Sequence, residues 1–184
     1  MNQKIKISLL ACSLISALSC SNQTNENHVL SIESGFKARA HEIRGTLSHG
    51  DSVVGELRFH DCYCTKSEGG LQIDCVHLMG IENDHLFLSI YSDSVKAVLQ
   101  SVGTRVRPDD FVFKHRKMVL NSQDLQIGQS LQASIELAGS GIDYNGEVAK
   151  VILKGDFECI VKDDTYGYDD FRKDLVKKYE QKKE

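Results

Sequence analysis

Between Ala149 and Val161 every second residue is apolar or small: Ala149, Val151, Leu153, Gly155, Phe157, Cys159 and Val161. Lys150, Lys154, Asp156, Glu158 and Lys162 stand opposite them, interrupted by Ile152 and Ile160. A helix would scatter the apolar set around its circumference, whereas a strand gathers it on one face. The segment therefore predicts a long, half-buried strand, with Gly155 marking a break or a close backbone approach. A strand of this length needs neighbours on both sides and a second layer over its apolar face, which commits the chain to a β architecture.

The same period recurs upstream. Leu131, Ala133, Ile135 and Leu137 alternate, and Asn145-Gly146 offers a type I′ hairpin turn between the two strands. Strict pairing across that turn puts Leu137 and Leu153 on opposite faces, so a bulge at Gly139-Ser140-Gly141 is expected to bring them into phase. Further strands are predicted over 38–47, 53–63, 71–79, 85–91 and 111–120. Only 95–102 leans helical, with apolar residues at Val95, Val98, Leu99 and Val102. Seven to eight strands with short turns argue for an all-β fold, an antiparallel sandwich or barrel. The domain spans 36–162. In the tail, 163–184, Asp169-Asp170 can cap a short C-terminal helix carrying Phe171, Leu175 and Tyr179 on one stripe, with lysines toward its end.

The N-terminus has a different character. Lys4 and Lys6 precede an apolar stretch from Ile7 to Leu18, long enough for the core of a signal peptide and too short to span a bilayer. The stretch ends in Ala17-Leu18-Ser19-Cys20, which resembles the lipobox of bacterial lipoproteins. That family more often has Leu where Ala17 stands, and here Leu18 is next to it. The resemblance covers the first twenty residues. It implies cleavage after residue 19 and a diacylglycerol on Cys20, so the membrane is a partner through that lipid. Ala17-Leu18-Ser19 also has the small-x-small form of an ordinary secretory cleavage site. Residues 20–35 are mostly polar and read as a tether of about 20 Å root-mean-square length.

Cysteine arithmetic bears on the two cleavage readings. Cleavage before Cys20 leaves Cys20, Cys62, Cys64, Cys75 and Cys159, an odd number for an exported protein. With lipid on Cys20, the other four can pair. Cys12 is a poor lipidation site because the apolar run before it is too short. Removing Lys4 and Lys6 leaves 20 basic residues against 26 acidic ones, so the mature domain is expected to stand off an anionic membrane surface. The expected location is the cell envelope. Ser21 lacks the acidic character that retains many lipoproteins at an inner membrane, and the resemblance thus favours the outer one.

The densest cluster of reactive side chains is His60, Cys62 and Cys64, spaced by two, with Cys75 and His77 on the next strand. If Gly69-Gly70 is the turn, Cys64 lies opposite Cys75 and Cys62 opposite His77. If the turn centres on Glu68-Gly69, Cys62 faces Cys75 and His60 faces His77. Both registers place all five residues on one face. Two chemistries fit. One is structural: a cross-strand disulfide to Cys75, with the remaining Cys of the pair bonded to Cys159. The other is a zinc or copper site built from His60, Cys62, Cys64, Cys75 and His77, although no zinc-finger spacing is present. In the structural reading no cofactor is needed.

Enzyme motifs are missing. Gly128-Gln129-Ser130-Leu131-Gln132 begins like a nucleophile elbow but ends in Gln. Metalloprotease, P-loop and dinucleotide motifs do not occur. Asp143-Tyr144-Asn145-Gly146 has Gly too early for a calcium loop and reads as a turn. His41, His49, His85 and His115 stand apart and read as surface or satisfied core residues. With a formal charge of −4 and a pI near 6.0, no global basic field draws the chain to nucleic acid. A local basic run, 105–117, reads as a solvated strand face, with envelope phosphates as the alternative. The expectation is a lipid-anchored binding or scaffolding module whose partner is an envelope protein or polysaccharide. A metal-binding lipoprotein and an envelope enzyme with a dispersed site are the alternatives.

Overall fold

A computed structural model describes residues 27–79, 82–92, 94–100, 112–122, 124–143 and 145–181. The signal-like segment, Cys20, and residues 105–111 of the basic run lie outside them. The described residues form ten strands and one helix. The strands are β1 (Asn27–Ile32), β2 (Glu42–His49), β3 (Ser52–Phe59), β4 (Asp61–Ser67), β5 (Gly70–Met79), β6 (Glu82–Tyr91), β7 (Ser94–Gln100), β8 (Val112–Leu120), β9 (Ser130–Ile142) and β10 (Val148–Asp163), and the helix is α1 (Tyr168–Gln181). Eight strands follow one another in the order β1-β8-β9-β10-β4-β5-β6-β7, and the β2–β3 hairpin adds to the side of β10. The fold is all-β, nearly closed into a barrel, with a short C-terminal helix. Most neighbours are antiparallel, but β1 pairs parallel to β8 and β10 parallel to β4.

The long strand organises the rest. Val151, Leu153, Phe157, Cys159 and Val161 all point into the core. The strand runs through Gly155 without a break, yet changes partner near it: residues 149–156 pair with β2, and 161–163 pair with β4. Residues 157–160 have no ladder partner on that side among the described residues, so the sheet splits there. Leu137 and Leu153 are directly opposed, as the hydrophobic pattern demands. No bulge brings this about. Asp143 N–H donates to the Glu147 carbonyl at 3.0 Å, so the connection is one residue longer than the two-residue turn expected at Asn145-Gly146. The extra residue shifts the register by one and puts both leucines inside.

Four further expectations need correction. Residues 94–100 form a strand, because Val95, Ala97 and Leu99 alternate inward and pair along β6; the helical pattern came from Val98 on the other face. The segment 53–63 is two strands that part at His60. Leu57 and Phe59 point inward before the break and Cys64 after it, so the interruption reverses which parity faces the core. Within the polar segment read as tether, 27–32 is strand β1 on the outer edge of β8. The helix starts at Tyr168, and Asp170 caps it from inside the first turn by accepting the Gly167 N–H at 3.4 Å.

Closure of the barrel rests partly on one cation from the basic run. A register shift between Phe113 and His115 turns β8 toward β7. There Arg116 Nε donates to the Phe113 carbonyl at 2.8 Å and Nη1 to the Val95 carbonyl of β7 at 3.0 Å. Arg116 is thereby engaged within the fold. Arg116→Ala is expected to cost about 2 kcal/mol, since hydrogen bonds to a charged donor are worth roughly 1.5–3 kcal/mol. Urea unfolding checks the stability, and faster amide exchange along 94–100 should accompany the loss.

Candidate functional site

A cleft of about 540 Å³ opens where the sheet splits. Its floor is β4 and the last third of β10, through Asp61, Tyr63, Glu158, Ile160 and Lys162; α1 forms one wall, and His41 and His60 stand at the other side. The helix is held over the outer face of β4 and β5 by a small second core, in which Phe171 and Leu175 pack on Val76 with Tyr63, Tyr166 and Tyr168 around them. Its far end is tied by Asp61, which accepts from Lys178 Nζ at 3.1 Å and from the Tyr179 hydroxyl at 3.0 Å. The near end is tied by the Tyr166 hydroxyl donating to Asp174 at 2.9 Å.

Within the cleft, Lys162 Nζ lies 5.0 Å from the centre of the Tyr166 ring, a cation–π distance. Glu158 accepts from the Ser130 hydroxyl at 2.5 Å, with His41 Nδ1 3.9 Å away. His60 Nδ1 is 3.3 Å from Glu42. The cleft thus offers an exposed apolar side chain in Ile160, aromatic edges, and charges of both signs, which suits a polar ligand with some apolar surface.

The cysteine-bearing hairpin adopts one of the two expected registers. Cys62 pairs with Cys75 across β4 and β5, so the turn centres on Glu68-Gly69. Cys62 is bonded to Cys75 with their Cα atoms 4.0 Å apart, and Cys64 to Cys159 with Cα atoms 6.0 Å apart. The second bond joins β4 to β10 beside the split, from the core side of the sheet. With all four sulfurs in disulfides, the thiolates that the zinc or copper reading requires are not formed. His60 and His77 remain as a pair of rings meeting edge to face at 5.8 Å.

Sequence spacing missed a polar network beneath α1. His85 Nδ1 faces both carboxylate oxygens of Asp74, at 3.0 and 3.1 Å, and its ring stacks on Phe87 and meets Tyr168 edge-on. The Tyr63 hydroxyl is hydrogen-bonded to the same Asp74. These residues lie far apart in sequence, and their outward parity on β4, β5 and β6 was the only available signal. His49 is likewise engaged, between Asp143 and Glu147.

Burial, reinforced by Asp74, pushes the Tyr63 phenol well above its ordinary range, and burial and Asp174 do the same to Tyr166; burial and Asp61 raise Tyr179 as well. In the unfolded chain these phenols ionise near pH 10. Between that pH and their higher folded values the native state holds protons that the unfolded state has released, so stability falls as pH rises. The stabilising contribution is complete below about pH 10 and is lost above it. Urea midpoints measured at pH 9 and pH 11 should show the decline, and Tyr63→Phe should flatten it.

Compared with protein-family models, with characterised proteins and with solved structures, the chain matches none of them. The geometry therefore defines a class only: a disulfide-stapled, barrel-like β domain with an open cleft roofed by a C-terminal helix. No helix among the described residues is long and apolar enough to cross a membrane.

Proposed function

We propose that this is a lipid-anchored cell-envelope protein whose β domain binds an envelope component, a protein or a polysaccharide, in the cleft between α1 and the split in the sheet. The observation that carries the reading is the cysteine accounting. Cys62–Cys75 and Cys64–Cys159 use all four cysteines of the described residues, and with Cys12 inside the segment that cleavage would remove, Cys20 is the thiol left for lipid. Paired disulfides also suit an oxidising, exported location. A thioether-linked diacylglycerol brings more than one acyl chain, at about 0.8 kcal/mol per buried methylene, which is enough for stable anchoring.

The anchor is tested by fractionation. In a bacterium that processes lipoproteins, the wild-type chain is expected with the membranes, and Cys20→Ala is expected in the soluble fraction. A Cys20→Ala protein that stays with the membranes would sink the anchoring step. The cleft is tested separately, by binding to purified envelope polysaccharide and to envelope proteins. Ile160→Arg, which fills the cleft floor, should abolish binding, while Val53→Arg on the exposed part of β3 should not.

A further inference from the structure

A second site lies at the opposite end of β10 from the helix. Ala149 of β10 is flanked by His49 of β2 and Gly141 of β9, so these three residues form one row across three strands. Ala149 and Gly141 are buried and small, which leaves room above them for the His49 ring. By the period of two, Asp143 and Glu147 continue the same face into the loop that joins β9 to β10. Three side chains capable of binding a metal thus converge from two hairpin ends.

Their atoms are arranged unevenly. Asp143 is 1% exposed, and its Oδ1 is occupied by the backbone N–H groups of Asn145 and Glu147, both at 2.8 Å. Its Oδ2 accepts from Asn145 Nδ2 at 3.4 Å and also faces His49 Nε2, 3.5 Å away. That nitrogen is buried and has no hydrogen-bond partner. A buried polar atom left in this way carries a desolvation cost that native structures rarely tolerate without a ligand, water or ion. Glu147 Oε2 lies 3.2 Å from the other ring nitrogen, on a largely exposed side chain, so its carboxylate must turn from Nδ1 to share an ion held at Nε2. One ligand atom from each of the three residues lies within 4.8 Å of the others.

We propose that His49, Asp143 and Glu147 form a binding site for a divalent transition-metal ion of the zinc class. Two ligands each ~2.1 Å from a tetrahedral ion stand about 3.4 Å apart, close to the separation of Nε2 and Oδ2. One imidazole and two carboxylates suit zinc, and three protein ligands leave a fourth position for water. Calcium is disfavoured, because it takes six to eight oxygens, whereas this site offers two carboxylates, one of them with Oδ1 already occupied, beside an imidazole. The site does not depend on the lipid anchor or on the cleft. Joining the β2–β3 hairpin to the β9–β10 loop, the ion would fasten the end of the sheet that neither disulfide reaches.

The test is zinc titration of the full chain, extracted in detergent and stripped with a chelator, followed by calorimetry and by nitrogen NMR of the histidine rings. One equivalent of zinc is expected to bind and to shift the His49 Nε2 resonance to a metal-bound position. Binding should be lost in His49→Gln and in Glu147→Gln, and kept in His77→Gln. Glu147 is exposed, so its variant separates ligand loss from misfolding, and an unchanged near-UV circular dichroism spectrum confirms the fold. Absence of a stoichiometric zinc step would overturn the proposal. So would binding that survives both His49→Gln and Glu147→Gln, or a His49 ring protonated on both nitrogens and indifferent to zinc.

Discussion

Replacing Cys64 and Cys159 together by alanine is expected to lower stability by about 4–5 kcal/mol, against about 3 kcal/mol for the Cys62/Cys75 pair. The difference comes from loop length. Cys64 and Cys159 are 95 residues apart in sequence, Cys62 and Cys75 only 13, and the chain entropy removed from the unfolded state grows with the loop closed. Domains of this size have roughly 5–15 kcal/mol in total, so the longer bond alone holds a large share of it. Its position adds a structural consequence. The parallel β10–β4 ladder begins at Cys64 itself, and without the bond the split in the sheet is free to widen toward Val161. Urea unfolding under oxidising conditions gives the two losses, and amide exchange along 157–163 reads the widening. Equal losses for the two pairs would contradict the loop-length account.

Gly155→Val is expected to cost roughly 3–5 kcal/mol, combining overpacking with backbone strain. A Cβ at Gly155 would land on the Glu42 carbonyl oxygen and within 2.7 Å of Ile43 Cα, and both are backbone atoms that no rotamer change can move. The glycine also has φ +155, a conformation that a β-branched residue resists. It sits where β10 hands over from β2 to β4, so the substitution should loosen the β2–β3 hairpin before the rest of the barrel. Gly69→Ala is the control. It has an ordinary φ and only the Ser67 hydroxyl oxygen near its Cβ position, at 3.8 Å, and should change stability by less than about 0.5 kcal/mol. A Gly155→Val protein that melts like the wild type would show that the two strands do not approach closely there.

The legible part of the fold was the part written in alternation. The β9–β10 pair, β5, β6 and β8 follow from period two, and the β4–β5 hairpin takes one of the two registers that the turn residues Glu68, Gly69 and Gly70 allow. Val95 to Leu99 was misread because one outward valine mimics a helical stripe, and only its partner β6 decides the matter. The division at His60 carries no glycine or proline, so nothing local announced it. Strand β1 lies in a polar segment and gains its place from a parallel partner more than 80 residues away, as Asn27 opposite His115 shows. The sites were less legible than the strands. His85 with Asp74, and His49 with Asp143 and Glu147, meet only after the sheet is assembled. The cleft arises from a gap between ladders, which no motif encodes.

The most direct measurement is an intact mass of the protein extracted from membranes without reductant, followed by non-reducing digestion. The account predicts the mass of Cys20–Glu184 plus lipid, lowered by the hydrogens of two disulfides, with linked peptides joining Cys62 to Cys75 and Cys64 to Cys159. A chain without lipid on Cys20, or with thiols still titratable among the other four cysteines, would contradict it.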